Sequence, residues 1–165
     1  PYIDAYKVDF KAFDPKFYAD FTGGSRDPVL QTMKIVRESG VWLEIVNLLV
    51  PGQNDGEEEI RQLARWVKEN LGDDVPLHFS RFQPQYKLLN LPPTPIDAVV
   101  RAREIARAEG LKFVYTGNVP AAAGDSTYSP KTGRIVIERK GYFVVRNELA
   151  DGVAPDGEIL PGIWK

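Results

Sequence analysis

Not one of the 165 residues is cysteine. That absence excludes disulfides, thiolate metal sites, a cysteine nucleophile and iron–sulfur ligation by this chain. A single histidine, His78, rules out a two-histidine metal site within one chain and leaves one candidate base for a Ser-His-Asp triad. Neither sign of charge is in excess: 21 Lys+Arg against 23 Asp+Glu give a formal net charge of -2, which predicts no nucleic-acid partner. No apolar run approaches the roughly 20 residues of a membrane-spanning helix, and the start shows no signal-peptide pattern. No membrane partner is expected, and the cytoplasm is the expected compartment. An initiator methionine is also missing. The chain opens on Pro1 in mid-pattern and reads as a piece of something longer.

What the chain does have is the make-up of a globular domain. With 43% hydrophobic and 27% charged residues it can build a core and is too apolar for disorder. Ile3, Ala5, Val8 and Phe10 predict a strand over 2–10, closed by Asp14-Pro15. Asp27 as N-cap and Pro28 in the first turn predict a helix with Val29, Leu30, Met33 and Val36 inside, ended by Gly40. The nearly continuous apolar run from Val41 to Val50 suits a strand covered on both faces. Asp55 and Glu58, spaced as an acidic capping box, open a second helix with Ile60, Leu63, Ala64, Val67 and Leu71 inside.

A third strand over 77–82 leads into a proline-rich loop. Thr94 as cap and Pro95 as start then open a third helix, with Ile96, Val99, Val100 and Ile105 inside and Gly110 at its end. Residues 112–116 make a fourth strand. This alternation predicts βαβ units and a parallel sheet with right-handed crossovers. After Gly117 it breaks, and residues 134–138 and 142–146 read as a hairpin about Lys140-Gly141. The expected organisation is an α/β body over 1–119 and a small β-rich extension over 120–165, with no internal repeat.

Ligands of parallel α/β sheets bind outside the carboxyl ends of the strands, so the polar residues there are the candidates. After the first strand these are Lys7, Asp9 and Lys11. The second gives Glu44 and Asn47, then Gln53, Asn54 and Asp55. The third gives His78, Ser80, Arg81 and Gln83, and the fourth Asn118. Each has a plainer reading. Asp9 and Lys11 share a strand face, where they also make a simple ion pair. Asp55 reads first as a helix cap, and His78 equally as a rim histidine bonded to backbone. Glu44 is the hardest to explain away, because a carboxylate in a buried strand needs a partner or a ligand. By themselves these residues say only that a polar site lies at a sheet mouth.

The stretches DAYKVDFKAFDPKFY, VWLEIVNLLVPGQND and HFSRFQPQYK, the PPTP helix start, VYTGNVP and the PGIWK ending follow one another along the whole chain. In that order and spacing they resemble the radical S-adenosylmethionine enzymes, in particular the pyruvate formate-lyase activating enzyme-like branch called AmmeMemoRadiSam. The resemblance implies the C-terminal half of a partial (β/α)6 TIM-like barrel, three or four of its six units, with the extension attached. The three-cysteine motif for the 4Fe–4S cluster and the glycine-rich segment for the methionine amino group lie in the family's first half. Both are then expected in a missing N-terminal half.

Site roles follow from the same resemblance. Asp9 and Lys11, at the DLK-like element, are implied to face S-adenosylmethionine, with Glu44, Val46 and Gln83 on that side. Val46 stands where relatives have an inward Arg, and Gln83 where they often have His. Asn47, Asn54, His78, Arg81 and Asn118 fall on the substrate side. No catalytic residue and no metal ligand is expected in this chain. In the extension, Ser129, Thr132 and Ala154 fall where relatives carry cysteines, with Asp156 or Gly157 near the fourth. A zinc-ribbon-like tail without zinc is expected, held by packing through Tyr142, Phe143 and Trp164.

For the intact protein the resemblance implies reductive cleavage of S-adenosylmethionine at the cluster. The resulting 5′-deoxyadenosyl radical abstracts hydrogen from a substrate, a protein residue among the candidates. The 165 residues alone are then inert. Two other readings stand beside this one: a non-catalytic binding or scaffold module derived from the half-barrel, and an unrelated α/β-barrel lyase or isomerase using Lys11 or His78. A half-barrel also leaves its first strand without a neighbour, so a dimer or a covered edge over Ile3 to Phe10 is expected.

Overall fold

Strands and helices alternate along the first two-thirds of the chain, as their apolar spacing requires. The computed structural model describes residues 2–119, 124–141 and 143–164. Strand β1 (Ala5–Asp9) is followed by a short helix α1 (Pro15–Phe17), which runs into a π-helical turn over Tyr18–Thr22. Then come α2 (Arg26–Glu38), β2 (Trp42–Leu49), α3 (Glu57–Leu71), β3 (Leu77–Arg81), α4 (Ile96–Ala108) and β4 (Val114–Gly117). The four strands pair in parallel in the order β1-β2-β3-β4. Among the described residues no helix is long and apolar enough to cross a membrane.

Register divides the sheet into two faces. Val8, Ile45, Leu77 and Val114 form one row, and Asn47, Phe79 and Thr116 another, on the face that packs against the helices. Phe10, Met33, Leu43, Leu63, Val67 and Val99 complete that core. The opposite face carries the rows Lys7–Glu44, Asp9–Val46–His78–Tyr115 and Leu48–Ser80–Gly117.

β2 is therefore not covered on both faces. Leu43, Ile45, Asn47 and Leu49 are buried, while Trp42, Glu44, Val46 and Leu48 alternate with them at half burial, because all the covering helices lie on one side. The helix starts also differ from expectation. Ser25 is the N-cap of α2, and Asp27 lies inside its first turn, where the helix dipole favours an acid and Pro28 needs no N–H partner. Gly56 precedes α3, and Asp55 instead accepts the Gly52 N–H (2.8 Å) across a turn in which Gly52 has φ 70°. Pro95 is the N-cap of α4. Thr94 is buried, with its hydroxyl donating to the Leu49 carbonyl (2.5 Å) and accepting the Phe82 N–H (3.0 Å).

The extension is a three-stranded antiparallel sheet of β5 (Thr127–Tyr128), β6 (Ile135–Lys140) and β7 (Phe143–Asn147). The hairpin turns at Gly141 (φ 60°), as expected; Tyr142 lies outside the described residues. Phe143 does not hold it, being 78% exposed. The extension is fastened by Phe113, Val136, Ala154 and Leu160, with Tyr115 and Leu149 packed beside them. Trp164 does contribute: its indole N–H donates to the Leu160 carbonyl (2.9 Å), and its ring leaves no room for a Cβ on Gly152.

Candidate functional site

Between the open face of the sheet and the extension lies a cavity of ≈ 910 Å³. Trp42, Glu44, His78, Ser80 and Tyr115 line it from the sheet, and Asp125, Thr127, Arg139 and Leu160–Trp164 from the extension. Glu44 has the partners its burial demands. One carboxylate oxygen accepts the Trp42 indole N–H (3.0 Å), and the other lies 3.1 Å from His78 Nε2. The His78 hydrogen bond is the main reason its carboxyl sits below the usual range, against the opposing effect of burial. The His78 ring stacks on Tyr115 with centroids 4.9 Å apart. The Tyr115 hydroxyl, pushed up by burial, lies 3.1 Å from the Thr127 hydroxyl oxygen, which also accepts from Arg139 (2.8 Å). A polar chain thus runs from the start of β2 across the sheet and into the extension.

A second cluster sits at the carboxyl end of β1. Asp9 bridges two lysines, the exposed Lys7 at 2.8 Å and the half-buried Lys11 at 3.5 Å. The Lys7 hydrogen bond chiefly holds the Asp9 carboxyl below its ordinary value. The Lys11 backbone is fixed on both sides. Its N–H donates to the Tyr18 hydroxyl (3.0 Å), and its carbonyl accepts from Asn54 (2.6 Å) and Asn47 (3.3 Å).

Asn47 and Asn54, 3% and 2% exposed, turn into the protein. Asn47 also donates to the Phe10 carbonyl (2.9 Å). Asn54 donates to the Leu48 carbonyl (2.9 Å) and accepts the Val50 N–H (2.6 Å). Glu59 of α3 accepts the N–H groups of Phe13 (2.8 Å) and Asp14 (3.2 Å), fastening the same loop; burial raises its carboxyl.

The remaining candidates are spread along the strand ends. Val46 lies between Asp9 and His78 in the register, half-buried and apolar. Arg81 donates to the Thr94 carbonyl (2.7 Å). Asn118, with φ 59°, donates to the Arg81 carbonyl (3.4 Å), and Gln83 is exposed in the following loop. The structure therefore brings together Asp9 and Lys11, with Val46 beside them, and separately Glu44 and His78. Sequence reasoning missed Tyr18, Glu59, Trp42, Tyr115, Thr127 and Arg139. Trp42 was within reach, since Trp-x-Glu on a strand puts both side chains on one face; the others depend on long-range docking. Among the described residues no three His, Cys, Asp or Glu side chains group as metal ligands would.

No protein-family model matches this sequence. The chain is 44% identical over 137 residues to an uncharacterized protein of Methanocaldococcus jannaschii, which covers 83% of this chain and 41% of that protein. It is 29% identical over 125 residues to the indoleacetate decarboxylase activating enzyme of Tractidigestivibacter scatoligenes, 69% of this chain and 39% of that one. The chain thus spans about two-fifths of the length of these curated relatives. Among solved structures, a domain of a pyruvate-formate lyase-activating enzyme from Bacteroides vulgatus matches with TM-score 0.59 at 17% identity, over 70% of this chain and 68% of that one. A radical SAM methyltransferase from Sphaerobacter thermophilus matches with TM-score 0.50 at 18% identity, over 73% of this chain and 37% of that one. Sequence and fold point the same way as the ordered motifs.

Proposed function

We propose that this chain, related in sequence to an activating enzyme and in fold to radical S-adenosylmethionine enzymes, is the ligand- and substrate-side part of such an activating enzyme. Residues 1–119 are then the C-terminal half of a partial (β/α)6 barrel, and 120–165 its extension. Among the described residues β1 pairs only with β2, and its free edge is where a preceding half would join.

The observation that carries this reading is Lys11. Three side chains hold its backbone at the carboxyl end of β1, while its ammonium stays at the surface beside Asp9. A cation positioned in advance suits a ligand carboxylate, and a nearby carboxylate suits an ammonium or a ribose diol. S-adenosylmethionine carries all three groups. Val46 offers it an apolar wall and Gln83 an amide. Glu44, already bonded to Trp42 and His78, shapes the cavity rather than meeting the ligand first.

This chain's donor set does not fit a 4Fe–4S cluster, since it holds no cysteine. The cluster ligands would belong to the further length that the relatives possess. When bound and reduced, S-adenosylmethionine supplies radical chemistry; the residues here bind it, orient it and keep water away. His78, Arg81 and Asn118 lie toward the substrate. The indoleacetate decarboxylase activating enzyme, by its name, acts on another enzyme, which supports a protein as the substrate class.

Anaerobic reconstitution of the complete gene product, followed by S-adenosylmethionine and a reductant, tests the reading. Methionine and 5′-deoxyadenosine are expected from the complete protein and neither from the 165 residues alone. A complete protein with no cluster and no cleavage overturns it. The total lack of cysteine, tail included, favours a second reading as a cluster-free scaffold module. A Cys-x3-Cys-x2-Cys motif encoded upstream supports the enzyme, and a start codon immediately before Pro1 supports the module.

A further inference from the structure

Two turns of the extension, 129–133 and 154–157, meet at one carboxylate. Asp156 Oδ2 accepts from the Ser129 hydroxyl (2.6 Å) and the Thr132 hydroxyl (2.7 Å), while Oδ1 accepts the Glu158 N–H (3.0 Å). Ser129 Oγ, in a residue 1% exposed, also accepts the N–H groups of Lys131 and Thr132 (3.2 Å each). The first turn closes through Gly133 N–H to the Ser129 carbonyl (2.8 Å), and the second through Gly157 N–H to the Ala154 carbonyl (2.9 Å). Gly133 and Gly157 have φ 71° and 80°, as such turns require. Lys131 reaches across to the Asp156 carbonyl (3.1 Å).

The spacings Ser129-x2-Thr132 and Ala154-x2-Gly157 are those of paired metal-binding thiolates. Two hydroxyls, a methyl and a hydrogen occupy the four positions of that spacing. What joins the turns, besides the Lys131 contact, is a pair of short hydrogen bonds to an ionised acceptor, a stronger type than neutral pairs.

We infer that Asp156 is the cross-link of the extension, joining its two turns where a metal ion would otherwise be needed, and so positions the extension's wall of the cavity. The path to that wall is short. Ala154, two residues before Asp156 in the same turn, packs with Phe113, Val136 and Leu160. Leu160 then donates its N–H to the Gly152 carbonyl (2.9 Å) and accepts the Trp164 indole N–H, and both Leu160 and Trp164 line the cavity. The Asp156 carboxyl lies at about 2, lowered first by the Ser129 hydrogen bond and then by that of Thr132, so it is ionised at neutral pH.

Amide hydrogen exchange on the complete protein tests this. In Asp156→Asn and in Ser129→Ala, protection at the amides of Gly133, Gly157 and Leu160, whose acceptors are backbone carbonyls that neither change removes, is expected to fall at least about tenfold, with β2 and β3 unchanged. The double variant should lose less than the sum of the two single ones, because both remove the Ser129–Asp156 hydrogen bond. Unchanged exchange in Asp156→Asn, or additive losses in the double variant, overturns the inference. So does stoichiometric zinc in the wild type whose removal by a chelator opens the same amides. Should Asp156→Asn fail to fold, Thr132→Val removes one of the two hydroxyl donors: a smaller loss at the same amides supports the cross-link, and none refutes it.

Discussion

A carboxylate on a β-strand has to be answered, and Glu44 is answered twice, by the Trp42 indole and the His78 imidazole. Its carboxyl is lower in the folded protein than in an unfolded chain. A group depressed in this way adds stability above its unfolded value and loses it as pH falls through its folded one. Denaturant melts are therefore expected to show stability declining below about pH 4.3, the ordinary glutamate value. Glu44→Gln should flatten that decline and cost about 1 kcal/mol at neutral pH, a figure kept small because the side chain is only partly buried. The need for a partner was legible from Glu44 alone. That the partner is His78 follows from strand register, which a single sequence does not reveal. The resemblance puts Asn47 and Asn54, near a strand end, on the substrate side. They turn inward because the Phe10 and Lys11 carbonyls, in a buried loop, need donors.

At the scale of elements, the apolar periods found all four strands and the three long helices, and local chemistry misplaced their starts. Asp27, Asp55 and Thr94 are good capping residues by type, yet each sits one or two residues away from the cap or is engaged elsewhere. Thr94 shows why. Its hydroxyl joins the ends of β2 and β3, a long-range task that outweighs the local preference for capping. Thr94→Val keeps the shape and removes the donor and acceptor, leaving the Phe82 N–H and the Leu49 carbonyl without that partner. A loss of about 1–3 kcal/mol is expected in chemical denaturation, with faster exchange at the Phe82 amide. The short β5 was missed because two residues carry no period. Phe143 is large enough to hold the hairpin, but it lies on an edge strand that no other element covers among the described residues.

The whole molecule is a parallel sheet with helices on one face and the extension packed at its β4 side, leaving β1 as the opposite edge. Tyr2, Ile3 and Tyr6 are exposed along or beside that edge. An open strand edge with apolar neighbours is a template for pairing. The 165 residues expressed alone are expected to associate, with an apparent mass by light scattering that rises with concentration; a constant monomer mass refutes this. The parallel fold was legible because βαβ alternation leaves few topologies. The docking of the extension was not, since it rests on apolar contacts between residues as distant as Phe113 and Leu160.

The role we propose for the carboxyl end of β1, with Lys11 held by Tyr18, Asn47 and Asn54, is to receive S-adenosylmethionine. Its most direct test is the equilibrium affinity of the complete, cluster-reconstituted protein for that ligand, wild type against Lys11→Ala. A weakening of at least about tenfold, or ~1.4 kcal/mol, is predicted with cluster content and circular dichroism unchanged. Equal affinity in the two proteins would rule out Lys11 as a ligand-binding residue.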